Sequence, residues 1–123
     1  LPLAAAEPAK KILLVGSAAD NHPPGTHEYM PAMETLANLL KTVPGVEVTV
    51  SKADAAWKDG PELLGRSDAV VIFLTEGAAW LSADEARRSA FQKLAARGGG
   101  GSVFHWGMGT RDAANIEAFA NLF

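Results

Sequence analysis

The stretch DAVVIFL (residues 68–74) decides the fold class. After Asp68 it is an unbroken apolar run rich in β-branched residues, and it is too short for an ordinary helix. Such a run is typical of a strand that is buried on both faces of a sheet. The stretch KKILLVG (residues 10–16) has the same character, with lysines before it and a glycine at its end. Two such strands in one small chain indicate an α/β protein with a parallel sheet.

Helical and strand patterns alternate between and after these two runs. In METLANLLKTV (33–43), apolar residues recur at helical spacing, and Pro31 is suited to open the helix because its missing N–H is not needed there. PGVEVTV (44–50) turns and then alternates apolar with polar residues, which predicts a strand. Leu63 and Leu64 indicate a short helix before the buried strand at 68–74.

The second half of the chain carries two further helix signals. Ser82 and Glu85 have the spacing of a capping box, which predicts a helix that runs to Arg97. Gly98 is well placed to end that helix. A last helix is predicted to bury one face, formed by Ile116, Phe119 and Phe123.

These patterns predict one parallel sheet with helices on both faces, as in flavodoxin-like folds. The expected spatial order of the strands is the flavodoxin-like order 2-1-3-4, with right-handed crossover connections. The four strands are predicted near 11–16, 46–50, 69–74 and 102–105.

Composition excludes several classes of function. The 123 residues suit a single domain, and the formal net charge of −3 without a basic cluster does not support a nucleic-acid partner. No apolar run approaches the roughly 20 residues of a membrane span. The chain has no cysteine, so disulfides, thiolate metal sites and cysteine nucleophiles are excluded. The oligomeric state is not predicted by these features.

The N-terminal stretch LPLAAAEPAKK (residues 1–11) resembles the end of a secretory signal peptide, with small residues where a peptidase would cut. Export to the periplasm or the medium is therefore expected. The alternative is a disordered N-terminus with alanines of no significance. On either interpretation, residues 1–10 are set apart from the α/β domain at 11–123.

All three histidines of the chain are expected at one edge of the sheet. His22 and His27 follow the first strand, and His105 lies at the end of the fourth. Glu76 follows the third strand and should reach the same edge. Because ligands of open α/β sheets bind at the carboxyl ends of the strands, these residues form a candidate site. At least one of the two loop imidazoles is expected within about 8 Å of the His105 ring, close enough for a shared ligand.

Several neighbours of these residues have both a structural and a functional interpretation. VFHWGMG (103–109) resembles a strand-to-helix elbow, in which Gly107 would permit a close backbone approach beside His105. Trp80 and Trp106 are suited to form apolar walls against a sugar face, although tryptophan is more often plain packing. The glycine run at 98–101 precedes a strand, so it is not interpreted as a phosphate loop.

The sequence resembles the ThuA-like (trehalose utilisation) family, whose fold is that of class I glutamine amidotransferases. The resemblance is carried by KILLVG, HPPGTHEY (22–29), DAVVIFLTEG and RGGGGSVFHWGMG (97–109), which cover nearly the whole chain. It implies a sugar-like small-molecule ligand and a role in disaccharide utilisation. It places His105 where amidotransferases have their cysteine, so glutamine hydrolysis through a thioester is not expected. Domains of this family are usually longer, so the chain is expected to be the N-terminal part of a longer domain.

The family pattern implies that His22, His27, Glu28 and His105 are positions of the site. His105, His27 and Glu28 are the expected catalytic residues, and the expected substrate-binding residues are His22, Tyr29, Glu76 and Trp106. A divalent metal ion is left open as a cofactor, with His22, His27 and His105 as its candidate ligands. The alternative is a non-catalytic module of the same fold that binds a sugar or a partner. A flavodoxin-like nucleotide binder is disfavoured because no glycine-rich loop follows the first strand.

Overall fold

The structure is a computed structural model that describes residues 7–54 and 56–122. Most of the expected signal-peptide remnant (residues 1–6) and the expected core position Phe123 lie outside these ranges.

Four parallel strands form one sheet in the order β2-β1-β3-β4, which confirms the predicted fold class and topology. The first strand is central, and its residue Leu14 pairs with Val50 on one side and Val71 on the other. The arrangement is flavodoxin-like, with both β2 and β4 at edges of the sheet. The strands are β1 (Lys10–Ser17), β2 (Val46–Ala53), β3 (Ala69–Phe73) and β4 (Gly100–Val103).

Helices cover both faces of this sheet, as predicted. One face packs against α1 through Met33 and Ala37, and the other packs against α2, α3, α4 and α5. Successive residues of β1 point to opposite faces, so Leu13 joins the larger core and Leu14 the smaller one. The helices are α1 (Tyr29–Leu40), α2 (Gly60–Gly65), α3 (Gly77–Ser82), α4 (Glu85–Ala96) and α5 (Ala113–Ala120), and a 3₁₀ turn spans His105–Met108.

The start of α4 differs from the predicted capping box. Asp84 is the N-cap, and its Oδ1 accepts a hydrogen bond of 2.7 Å from the Arg87 backbone N–H. Ser82 instead ends α3, a helix that the sequence patterns did not predict, and among the described residues its hydroxyl has no hydrogen-bond partner. The serine lies too far from the first turn of α4 to cap it. Gly98 ends this helix region in the left-handed conformation, with φ +80°, as expected.

Two boundaries and one helix face also differ from the prediction. Helix α1 begins at Tyr29, and Pro31 lies in its first turn, where its ring is tolerated. Strand β4 ends at Val103 rather than at residue 105, because His105 has φ +51° and cannot extend a strand. On α5, Phe119 is buried but Ile116 is exposed, so the predicted apolar face is only partly used.

Candidate functional site

The loop after β1 and the turn after β4 meet at the carboxyl edge of the sheet. The ring centroids of His27 and His105 are 5.1 Å apart, which confirms the predicted proximity of a loop imidazole to His105. The His22 ring lies edge-on to His27 at a centroid distance of 4.1 Å. The fold therefore brings together three imidazoles that two separate segments supply.

Asp20 lies at the centre of this group, although it was not among the residues predicted from the sequence. Its Oδ1 is 2.9 Å from Nδ1 of His22, and its Oδ2 is 2.9 Å from Nδ1 of His27. The Tyr29 hydroxyl donates a further hydrogen bond of 2.7 Å to Oδ2, and the His22 backbone N–H donates one to Oδ1. An acidic residue two positions before the first histidine was the signal available in the sequence.

These contacts determine the ionisation of Asp20. The side chain is only 14% exposed, and this desolvation raises its pKa. The opposing hydrogen bonds, from the His22 backbone and from the side chains of Tyr29, His27 and His22, lower the pKa by more. The net result is a pKa well below the usual value of an aspartate. The carboxylate therefore carries its negative charge throughout the neutral range.

Tyr29 supports the cluster from inside the fold. Its ring is 1% exposed and packs edge-to-face against Phe73, with centroids 4.7 Å apart. Burial raises the pKa of its hydroxyl, a hydrogen bond from Thr75 lowers it, and the Asp20 carboxylate raises it, so the net shift is upward. The phenol therefore stays protonated and donates to Asp20. This position suits a residue that orients Asp20 more than one that touches a ligand directly.

The turn between the two loop histidines is fixed by its own hydrogen bonds. Gly25 has φ +84°, and its N–H donates to Oε1 of Glu28 at 2.7 Å. The Thr26 N–H donates to the carbonyl of Pro23 at 3.1 Å. The structure thus places the exposed Glu28 carboxylate in a contact that connects the turn to the start of α1.

His105 occupies a tight elbow between β4 and the 3₁₀ turn. Its left-handed backbone conformation is one that non-glycine residues rarely adopt, and such strain is frequent at functional sites. A Cβ atom on Gly107 would lie 2.6 Å from Cγ1 of Val103, and a Cβ on Gly77 would lie 1.8 Å from the Gly107 carbonyl oxygen. Gly77 therefore permits the close packing of the elbow against α3, and Gly107 permits its close approach to the ends of β4 and β3, as expected for Gly107.

A cavity of about 280 Å³ lies where β1 and β3 end, on the face of the sheet that packs against α3, and no histidine is among its lining residues. The hydroxyls of Ser17 and Thr75 face each other there at 3.5 Å. Glu76 is on the rim of this cavity, where its carboxylate is 3.5 Å from Nε of Arg111. Among the described residues, the structure shows no contact between Glu76 and a histidine. The cavity is lined by Ser17, Ala53, Leu74, Thr75, Glu76, Ala79 and Trp80.

The two tryptophans near this edge have different environments. Trp80 is held by the Arg87 guanidinium, which lies 4.0 Å from its ring centroid, and its Nε1 donates to the Asp54 carbonyl at 3.2 Å. It is thus a fixed wall of the cavity. Trp106, which follows His105 in the chain, is 51% exposed, and its ring covers Gly109.

Within residues 7–54 and 56–122, the group of side chains that could hold a metal ion is Asp20, His22 and His27, whose ligand atoms all lie within 4.8 Å of one another. The ligands predicted from the sequence were His22, His27 and His105. The structure groups the first two of these with Asp20 instead of His105.

Comparison of the chain with protein-family models, with curated proteins and with solved structures gives no match. In the described part of the chain, none of the helices has the length and apolar character that crossing a bilayer requires.

Proposed function

We propose that the chain is a ThuA-like domain that acts in the utilisation of a disaccharide or a modified sugar. The observation that carries the proposal is the convergence of His22, His27 and His105 around the edge of the sheet where ligands of this architecture bind. The export expected from the alanine-rich N-terminal stretch would place this activity outside the cytoplasm. A cell-fractionation experiment on the complete protein tests that location.

The proposed sugar site is the cavity where β1 and β3 end, whose lining is mainly apolar with a few polar groups. It offers hydroxyls from Ser17 and Thr75 and a carboxylate from Glu76, which can exchange hydrogen bonds with sugar hydroxyls. Trp80 supplies a flat apolar wall of the kind that packs against the C–H face of a sugar ring. A volume of about 280 Å³ is at the lower limit of typical ligand pockets, which favours a ligand of one or two sugar units.

Acid–base chemistry in this site is assigned to His105, with His27 beside it. Imidazole changes its charge near neutral pH, so it can donate a proton to a sugar oxygen or accept one from a sugar hydroxyl. Glutamine hydrolysis is not part of the proposal, because the chain has no cysteine to form a thioester.

The experiment is a binding and turnover screen with trehalose, maltose, sucrose and their monosaccharides. Calorimetry measures affinity, and chromatography of the sugars measures turnover. The wild-type protein should bind or convert at least one sugar, and His105→Ala should lose turnover. Glu47→Gln, an exposed residue at the opposite edge of the sheet, is the matched control and should behave as wild type. If millimolar sugars neither bind nor react, the proposal is wrong.

The second candidate function is a non-catalytic binding module. It is favoured by the exposed apolar side chains of Phe104, Trp106 and Met108, which flank His105 and suit contact with a partner or a sugar. The same screen separates the two functions. Affinity without turnover, unaffected by the His105 substitution, supports the module.

A further inference from the structure

We infer that Asp20, His22 and His27 form a binding site for a divalent transition-metal ion of the zinc class. The role of the ion rests on the proposed function, whereas binding of the ion can be measured without any sugar.

The spacing of the three side chains matches a set of metal ligands. Nδ1 of His22 and Nδ1 of His27 are 3.1 Å apart, and each is 2.9 Å from a different oxygen of Asp20. In a tetrahedral zinc site the ligand nitrogens lie about 2.0–2.1 Å from the ion, which places two of them about 3.3 Å apart. The observed distances therefore need little adjustment to accept an ion.

Both Nδ1 atoms face the Asp20 carboxylate. In the tautomer that is protonated at Nε2, each imidazole presents an Nδ1 lone pair there, and the two nitrogens are 3.1 Å apart. The oxygens of Asp20 add further lone pairs and a negative charge on the same side. A metal ion would accept all of these lone pairs at once.

The donor set selects the class of metal. Two imidazoles and one carboxylate suit zinc and the neighbouring first-row ions, whereas magnesium and calcium prefer oxygen ligands. Zinc with Cys₄ or Cys₂His₂ ligation is excluded because the chain has no cysteine.

Three protein ligands leave one position open, which is the pattern of catalytic rather than structural zinc sites. The His22 side chain is 54% exposed, so an ion can reach the site from solvent. His105 is outside the ligand set, yet its ring lies 5.1 Å from that of His27. It is therefore placed to exchange a proton with a water molecule or a sugar hydroxyl bound to the ion.

The surrounding structure holds the ligands in place. The Tyr29 hydroxyl and the His22 backbone N–H both donate to Asp20, and the turn between the histidines is closed by the Gly25–Glu28 hydrogen bond. Such outer contacts orient metal ligands and raise the affinity of the site.

The test is a calorimetric titration of the chelator-treated protein with Zn²⁺, and separately with Mg²⁺. Wild type should bind about one Zn²⁺ per chain and should not bind Mg²⁺. Loss of an outer partner alone weakens metal sites about 10–100-fold, so Asp20→Ala and His27→Ala should weaken Zn²⁺ binding more than about 100-fold. His22→Gln, which changes an exposed ring, tests the site without a risk to folding. His105→Ala and Glu47→Gln should bind Zn²⁺ as wild type does, and far-UV circular dichroism verifies the fold of each variant.

Absence of Zn²⁺ binding by the wild-type protein would overturn the inference. Equal Zn²⁺ affinity of the wild type and folded His22→Gln would also overturn it, since the ion would then lie elsewhere. A loss in His105→Ala as large as that in Asp20→Ala would show that the ligand set is wrong. Zinc binding without any sugar binding would support the metal site and would contradict only the proposed sugar function.

Discussion

His27 and His105 lie on segments that follow two strands that are not neighbours in the sheet, and their ring centroids are nevertheless 5.1 Å apart. The turn after β4 spans part of this distance, since Gly107 lies close to the Ile72 carbonyl of β3. The proximity therefore depends on the whole sheet rather than on local sequence. Any variant that keeps the sheet but removes one imidazole should isolate its chemical role.

We expect His105→Gly to keep or gain stability while it loses sugar turnover. A left-handed residue with a Cβ costs roughly 1–2 kcal/mol, and glycine avoids this cost but loses about 0.5–1 kcal/mol through greater freedom of the unfolded chain. The free energy of unfolding should thus rise by between about 0 and about 1.5 kcal/mol. Urea denaturation measures the change, and a loss greater than about 1 kcal/mol would contradict the strain assigned to His105.

Gly77→Ala should be strongly destabilising. Its new Cβ would lie 1.8 Å from the Gly107 carbonyl oxygen, and a backbone atom cannot move aside as a side chain can. We expect a loss of about 3 kcal/mol in the free energy of unfolding. Gly65→Ala is the matched control at the end of α2, because nothing lies within 4 Å of its Cβ, and its effect should stay within about 1 kcal/mol. Similar losses in both variants would refute the close approach.

The stabilising contribution of Asp20 should depend on pH. Its pKa is lower in the folded protein than the usual value of about 3.9, so its contribution is complete above that value and is lost as the pH falls below it. Asp20→Asn should therefore be less stable than wild type at pH 7, and the difference should shrink below about pH 4. Denaturation in the presence of a chelator measures this difference at both pH values. A difference that is constant with pH is the contrary result.

Tyr29→Phe should weaken Zn²⁺ binding about 10–100-fold, because it removes the hydroxyl that orients Asp20. The fold should lose only about 0.5–1.5 kcal/mol, the usual value of one hydrogen bond. Phe73→Leu is the control, since it disturbs the packing of the Tyr29 ring but leaves the hydroxyl. If both variants reduce the affinity equally, Tyr29 contributes packing and does not position Asp20.

The sheet was predictable from sequence because its central strands are uninterrupted apolar runs. The apolar runs at residues 11–16 and 69–73 indicated strands buried in the middle of a parallel sheet, and the strand order was predicted by analogy with flavodoxin-like folds. Helix α3 was missed because six residues give too little periodicity to recognise. The predicted capping box was wrong because both Ser82 and Asp84 are residue types that cap helices. The first turn of α4 begins at Glu85, so Asp84 is the N-cap.

The site was only partly predictable, because some of its residues acquire their contacts through folding and not through local sequence. The histidines were recognisable by residue type and by their place after strands. Asp20 has an ordinary position in a polar loop, and its importance arises from the Tyr29 hydroxyl and two imidazoles that meet it only in the folded chain. The left-handed conformation of His105 and the close approach of Gly77 to the Gly107 carbonyl are likewise features that no local sequence pattern reveals.

The all-parallel sheet also has a consequence for how the chain folds. No two of its strands can form a hairpin, and each pairing must close a crossover loop: Lys10 meets Val46, and Ile12 meets Ala69. Because the entropy of loop closure is lost before such contacts form, chains of this kind fold slowly. During synthesis, β1 leaves the ribosome first and has no partner until β2 follows. Its apolar segment is then exposed, and such surface is prone to aggregation until β2 pairs with it.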